Sequence, residues 1–240
     1  MISIVIPAYN EGKKLNNNLN KIFQFMNSFQ KTFEVIVVDD GSTDDSFDVL
    51  TNYKLQNNIN NFFILKNSLN KGKGYSVKKG VLFAKGDFVL FLDADLSTPI
   101  EELAGFFKYL DEFDVVIGSR ALQKSSILKK QPFYRVLIGK TFNKLVKIFL
   151  FINLNDTQCG FKLFKKEVVK PIFSKLSIDR FGFDIEILYL AKKFGFKIKE
   201  QPVSWVNDED TRVRMIDPFK MFLDIFKVRI KDLFGSYKNE

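Results

Sequence analysis

The chain has 240 residues, 46% of them apolar and 27% charged, enough for one sizeable core and far from a disordered or fibrous composition. A single cysteine, Cys159, forbids an internal disulfide and suits a reducing compartment; with no histidine to act as its base, it reads as a packing residue rather than a nucleophile. The net charge of +9 is lopsided: residues 1–119 carry 12 lysines and no arginine against 15 acids, a net of −3, whereas residues 120–240 carry 25 basic and 13 acidic side chains, a net of +12.

Residues 2–6 read as a buried strand that breaks at Pro7-Ala8-Tyr9-Asn10-Glu11-Gly12 before a helix over 13–29, and no signal peptide fits there. A second apolar strand, 33–38, closes on Asp39-Asp40-Gly41-Ser42 and the capping run Thr43-Asp44-Asp45-Ser46, which opens a helix over 43–55. A strand near 62–66 leads to Asn70-Lys71-Gly72-Lys73-Gly74. Its glycines either let backbone amides approach an anion or simply turn the chain into the helix over 73–84, and the Walker spacing is absent. The strand over 87–92 ends in Asp93-Ala94-Asp95, two carboxylates that can share one hard cation still carrying substrate phosphates. The plainer reading of that stretch is a capped turn, with Ser97 or Thr98 opening a helix over 100–111 and Pro99 at its first position. A strand near 113–118 continues the βαβ rhythm of a Rossmann-like sheet. Three strands thus end in polar, acidic loops on one edge, where open parallel sheets bind ligands.

After Arg120 the pattern changes to a basic loop, a helix near 132–151, an extended piece at 161–164, helices near 166–175 and 183–194, and a strand near 196–203. Residues 115–155 contain no acid but hold Arg120, Lys124, Lys129, Lys130, Arg135, Lys140, Lys144 and Lys147. No RNP-like, zinc-finger or helix-turn-helix pattern accompanies this charge, which sets nucleic acid aside. An anionic lipid surface fits better, because the segment ends in Ile148-Phe149-Leu150-Phe151-Ile152. No window reaches the roughly 18 apolar residues of a membrane-spanning helix. Residues 217–234 form an amphipathic helix with Phe219, Phe222, Phe226, Ile230 and Leu233 on one face, either docked on its own domain or lying among lipid headgroups.

Val5-Ile6-Pro7-Ala8-Tyr9-Asn10-Glu11, Val37-Val38-Asp39-Asp40-Gly41-Ser42-Thr43-Asp44 and Asp93-Ala94-Asp95-Leu96-Ser97-Thr98-Pro99 resemble the nucleotide-sugar glycosyltransferases of family 2. Gly118-Ser119-Arg120, the run from Asp156 to Phe164 and the run from Arg180 to Leu190 are similar to its polyprenyl-phosphate branch, the dolichyl-phosphate β-glucosyltransferases above all. The resemblance covers nearly the whole chain. It implies an α/β fold of the GT-A type, a mostly parallel Rossmann-like sheet flanked by helices and followed by C-terminal amphipathic helices. It also implies a single domain over 1–240, with 1–119 binding the nucleotide sugar and 120–240 facing acceptor and membrane.

By that resemblance Pro7, Ala8, Tyr9, Glu11 and Asp39 hold uracil and ribose, Asp40 and Lys73 belong to the donor site, and Ala94 sits between Asp93 and Asp95, which ligate Mg²⁺ or Mn²⁺. Arg120 and Arg135 hold the acceptor phosphate. Arg212 and Arg214 resemble the family's Ser-Lys-Val-Arg loop that closes over the phosphates, although Asp210 stands where relatives often have glycine. Ser97 stands where mannosyl relatives often place glutamine. Trp205 either stacks near the sugar or packs.

A carboxylate from the region of Asp184 and Glu186 is the base in hydroxyl-accepting relatives. A phosphate monoester, with a second pKa of about 6, is already mostly dianionic at neutral pH and needs positioning, not proton removal. Asp184 is therefore expected to orient or to hold structure, paired with an arginine. The activity implied is inverting transfer of glucose from UDP-glucose to a polyprenyl (dolichyl or undecaprenyl) phosphate by a peripheral protein at the cytosolic face of a membrane. A membrane-embedded glycosyl-transfer partner would consume the product. The rivals are a family 2 enzyme using GDP-mannose or a hydroxyl acceptor, a nucleotidyltransferase, and a non-enzymatic anion-binding membrane module.

Overall fold

The structure, a computed structural model, describes residues 1–129, 132–208 and 217–238. In chain order it runs β1 (Ile2–Ala8), α1 (Gly12–Ser28), β2 (Phe33–Asp39), α2 (Ser46–Gln56), β3 (Phe62–Lys66), α3 (Lys73–Phe83), β4 (Phe88–Leu92), α4 (Leu103–Phe106) and β5 (Val115–Ser119). It continues with β6 (Ser126–Lys129), α5 (Phe133–Leu150), β7 (Phe161–Lys165), α6 (Lys166–Phe173), α7 (Phe183–Lys193), β8 (Ile198–Pro202), β9 (Ser204–Val206) and α8 (Asp217–Leu233).

Seven strands form one sheet in the order β3-β2-β1-β4-β7-β5-β8. β1 pairs in parallel with β2 and β4, and β7 alone runs antiparallel, between β4 and β5. One sheet therefore runs through both halves of the chain. The strands are apolar on both faces because helices cover both. Ile4, Ile6, Val35, Val37, Leu90 and Leu92 face α1, α2 and α4, whereas Val5, Ile36, Val38, Val89 and Phe91 face α3 and the helices from α5 to α8.

Two expectations need correction. The helix over 100–111 is a single α turn, α4, flanked by 3₁₀ turns at Ile100–Glu102 and Phe107–Tyr109, and no side chain caps it. Ser97 gives its amide to Asp95 Oδ1, and Thr98 is buried against Cys159 Sγ at 3.6 Å, so neither hydroxyl opens the helix. The basic loop after Arg120 contains β6, which pairs with β9 in a separate two-stranded ribbon.

The last helix divides its two faces. α8 docks through Met221, Ile225 and Val228, with Asp224 buried beside Gly182 at the start of α7, where the helix dipole favours an anion. The expected apolar face is the one left outside: Phe219, Phe226, Ile230 and Leu233 are 45–71% exposed. Phe222 and Phe226 meet Phe142 and Phe149 of α5 edge to face, so α5 and α8 share one apolar outer surface. Among the described residues, no helix is long and apolar enough to cross a membrane.

The C-terminal end is fastened by Glu186, fully buried on α7. Its carboxylate accepts from the amides of Ser177 and Ile178, at 3.0 and 2.8 Å, and from the hydroxyls of Ser177 and Tyr237, at 2.6 and 2.5 Å. This network gives Glu186 a structural role. Tyr237→Phe removes one hydrogen bond to a buried carboxylate and should cost about 1.5–3 kcal/mol in urea unfolding, with no change in the fold by circular dichroism. An unchanged midpoint would show that the C-terminal turn is not held this way.

Candidate active site

The order of strands reverses between β1 and β4, and the loops after β1, β2 and β4 open there into one crevice at the carboxyl edge of the sheet. It encloses about 740 Å³, lined by Pro7, Ala8, Tyr9, Glu11, Asp40, Lys73, Asp93, Ala94, Asp95, Arg120 and Arg135 among others. The sequence-predicted donor residues are thus brought together, with two differences.

Asp39 lies beneath the crevice, fully buried; its Oδ1 accepts the Ser42 amide at 3.3 Å and its Oδ2 has no protein partner. Asp40 serves the loop rather than standing free. Its Oδ1 accepts from Asn67 Nδ2 and the Lys71 amide at 2.8 and 2.9 Å, and its Oδ2 accepts from the Gly72 amide at 2.8 Å. The amides of Lys71 and Gly72 are therefore spent on Asp40 and are not free to cradle a phosphate. The loop is the turn into α3; Gly72 takes a φ of +112°, and a Cβ there would also overlap the Asp179 carbonyl. What it brings to the crevice is the side chain of Lys73.

Lys73 Nζ sits 2.7 Å from Asp93 Oδ1. Burial pushes its pKa down, but Asp93, Asp184 and Asp95 more than offset this and leave it above the usual lysine range. β4 stops at Leu92, so a tight turn, not continued pleating, sets the two aspartates. The Leu96 amide reaches the Asp93 carbonyl at 3.2 Å, the Ser97 amide reaches Asp95 Oδ1 at 2.8 Å, and Leu96 takes a left-handed φ of +50°. Such a φ is uncommon for a bulky side chain and marks a turn held by its surroundings. Two contacts hold it: Asn18 of α1 donates to the Ala94 carbonyl at 2.7 Å, and the Asp93 amide donates to the Gly160 carbonyl at 3.0 Å. Gly160 itself admits no side chain, since a Cβ there would overlap Asp93 Oδ2.

Among the described residues no group of three or more His, Cys, Asp or Glu side chains could hold a metal. The Asp93–Asp95 pair still suits Mg²⁺ or Mn²⁺, hard cations that bind through one or two carboxylates and complete their shell with water and substrate phosphates. Burial, and then the Asp93 charge, push the Asp95 carboxyl upward, as expected of anionic charge that one lysine does not fully answer.

Arg120 and Arg135 both line the crevice, but Arg120 is already bound. Its Nε and Nη2 grip Asp156 at 2.6 and 2.9 Å and its amide donates to the same carboxylate at 2.9 Å, while the guanidinium lies 5.4 Å from the Trp205 ring. That grip uses the Nε–Nη2 edge of the guanidinium and leaves its Nη1–Nη2 edge. Asp184 corrects the catalytic expectation more sharply. It is buried, lines neither cavity, and pairs not with an arginine but with Lys162, at 2.6 Å, itself fully buried. Burial pushes the Asp184 carboxyl up against the pull of Lys162 and Lys73. Cys159 is buried and its thiol is pushed up by burial to about 11, in keeping with packing. Arg212 and Arg214 lie outside the described residues.

A second cavity, of about 790 Å³, opens along α5 past Phe133, Val136, Phe142, Lys140, Lys144 and Lys147. It meets the first at Arg120, Arg135, Gln158 and Trp205. Asn18, Asp156, Gln158, Gly160 and Lys162 are site residues that sequence reading missed. Lys162 had a signal, a charge in the middle of the otherwise apolar strand Phe161-Lys162-Leu163-Phe164.

For Asp156, burial raises the pKa, but Arg120 and the neighbouring amides outweigh it and bring the carboxyl to about 2, from 3.8. A depressed folded-state pKa gives stability that is complete above the unfolded value and lost as pH falls through the folded one. Wild type should therefore exceed Asp156→Asn by on the order of 2 kcal/mol above about pH 4, the gap closing toward pH 2. Denaturant unfolding of both proteins across this range checks it, and a gap independent of pH contradicts it.

A profile of glycosyl transferase family 2 matches residues 3–173. The dolichyl-phosphate β-glucosyltransferase of Dictyostelium discoideum is 34% identical over 252 residues, covering 99% of this chain and 76% of that protein. Its human counterpart is 32% identical, covering 100% and 78%. Among solved structures, glucosyl-3-phosphoglycerate synthase of Mycobacterium tuberculosis in complex with Mn²⁺, UDP-glucose and glycerol 3-phosphate superposes with a TM-score of 0.68 at 19% identity, covering 98% of this chain and 80% of that one. A mannosyltransferase of Pyrobaculum calidifontis in complex with GDP-mannose and Mn²⁺ gives 0.62 at 19%, covering 96% and 64%. The fold is the GT-A fold, and the chain belongs to glycosyl transferase family 2.

Proposed function

We propose that the protein transfers glucose from UDP-glucose to a polyprenyl phosphate, with inversion, at a membrane surface. The observation that carries this reading is the meeting of the two cavities: a polar crevice at the sheet edge and an apolar channel flanked by lysines, joined at Arg120, Arg135, Gln158 and Trp205. A lipid phosphate needs both kinds of wall, one for its chain and one for its anion. The dolichyl-phosphate β-glucosyltransferases among the relatives support glucose as the sugar and a dolichyl-type lipid as the acceptor.

In this account Tyr9 stacks on the base, Glu11 receives ribose hydroxyls, and the unpartnered Asp39 Oδ2 accepts a ring N–H. Asp93 and Asp95 hold a divalent cation, which when bound neutralises charge gathering on the diphosphate. Arg135 and the part of Arg120 not taken by Asp156 draw the acceptor phosphate to the junction, where Trp205 closes one wall. A phosphate oxygen forms a bond to the anomeric carbon as the bond from that carbon to the UDP oxygen breaks. UDP leaves with the electron pair. No proton moves, so no base is required, and the sealed Lys162–Asp184 pair supports this over a hydroxyl-acceptor mechanism. The outer faces of α5 and α8, with Phe133, Leu137, Phe219 and Leu233 exposed, suit contact with lipid beside Lys140, Lys144 and Lys147.

Three measurements bear on this. Incubating the protein with labelled UDP-glucose or GDP-mannose, a short polyprenyl phosphate and Mg²⁺, then extracting lipid, should put glucose label in the organic phase; label only from GDP-mannose, or only on a hydroxyl acceptor, contradicts the reading. Lys162→Met combined with Asp184→Leu replaces a buried pair by apolar groups of similar size, an exchange that is often near neutral for stability. The double variant should keep turnover within about tenfold, whereas a catalytic base would cost about 10²-fold or more. Phe219→Ser with Leu233→Ser should weaken sedimentation with anionic vesicles about tenfold while leaving the urea midpoint nearly unchanged, since both side chains are exposed. Unaltered vesicle binding would place the lipid contact elsewhere.

A further inference from the structure

The Lys73–Asp93 ion pair occupies an oxygen that the proposed metal seat also needs. An ammonium bonded to Asp93 Oδ1 and a divalent cation on the same carboxylate are like charges competing for one anion. The root of Lys73 cannot retreat, because Asp40 takes the amides of Lys71 and Gly72 and the Asp179 carbonyl packs against Gly72. Its four-carbon side chain can swing, since it is a quarter exposed and ends in a compact point charge. Two carboxylates near it are already engaged: Asp184 is held by Lys162, and Asp40 accepts from three donors.

We infer that Lys73 is a tethered counter-cation of the Asp93–Asp95 seat, and that it makes metal binding depend on the diphosphate. Lys73 holds Asp93 until an anionic diphosphate enters the crevice; its ammonium then transfers to that anion and frees Asp93 Oδ1 for the metal. By linkage, nucleotide raises the affinity for metal and metal raises the affinity for nucleotide by the same factor; part of that coupling runs through this one side chain. Tight metal binding in the absence of donor is suppressed, which keeps the two carboxylates from being occupied unproductively. This rests on the proposed role of Asp93 and Asp95 and goes beyond it.

The test is Mn²⁺ binding, read from the electron paramagnetic resonance signal of free Mn²⁺ with and without UDP, in wild type, Lys73→Met, Lys73→Gln and Asp93→Asn, each checked for fold by circular dichroism. Removing the ammonium should tighten Mn²⁺ binding without UDP by about tenfold or more and shrink the enhancement that UDP gives. Lys73→Gln, which keeps a hydrogen-bond donor but no charge, should behave like Lys73→Met. If both variants bind Mn²⁺ without UDP no more tightly than wild type, the inference is overturned while the metal seat stands, provided Asp93→Asn abolishes binding with UDP. If Asp93→Asn leaves that binding intact, the seat itself is misassigned and the inference falls with it.

Discussion

Negative charge gathered at the end of a buried sheet has to be answered, and the form of each answer organises this molecule. Asp40 is answered by backbone amides, Asp93 by Lys73, Asp156 by Arg120 and Asp184 by Lys162. Two carboxylates are answered less completely. Asp39 keeps an oxygen without a protein partner, and Asp95 has its carboxyl pushed up by burial and by Asp93. A buried acceptor and a carboxylate pair that one lysine does not fully neutralise suit a ring N–H and a cation, and both lie at or beneath the wall of one crevice. The rest of the sheet edge is neutralised locally, which confines the unmet demand to the place where a donor would sit.

The uneven charge of the chain acquires a spatial meaning on this framework. The arginine-free, net-acidic first part supplies the acidic loops of the crevice, and the basic second part supplies α5, β6 and the arginines where the two cavities meet. The sheet is continuous across both because β7 returns between β4 and β5. That return strand also carries Lys162 beneath the site and follows Gly160, whose missing side chain lets Asp93 lie against it. The motif from Asp156 to Phe164 is thus less a substrate-binding signature than the back support of the aspartate turn and the anchor of Arg120.

Much of this was legible in the sequence. The alternation of apolar runs with polar breaks gave β1 to β5 and the helices α1 to α3, and the acidic strand ends pointed to the edge where the crevice opens. What failed did so for tertiary reasons. Asp40 and Asp93 look alike in sequence, yet one is consumed by backbone amides from a loop about thirty residues away and the other faces the crevice; only the register of that loop distinguishes them. Asp184 lies in a helix whose every residue from Phe183 to Ala191 is buried, so periodicity could not say which wall it faced or that a strand lysine waited there. On α8 the Phe-rich stripe suited docking and lipid contact alike, so the pattern could not choose; the domain took Met221, Ile225 and Val228 and left Phe219 and Phe226 exposed.

Crystals soaked with UDP and Mn²⁺, with the metal located by anomalous diffraction, test the central claim most directly. The account predicts one manganese peak bound by Asp93 and Asp95, with the diphosphate beside it and the Lys73 ammonium moved from Asp93 to a phosphate oxygen. A diphosphate bound away from this edge, with no metal at the two aspartates, would contradict it.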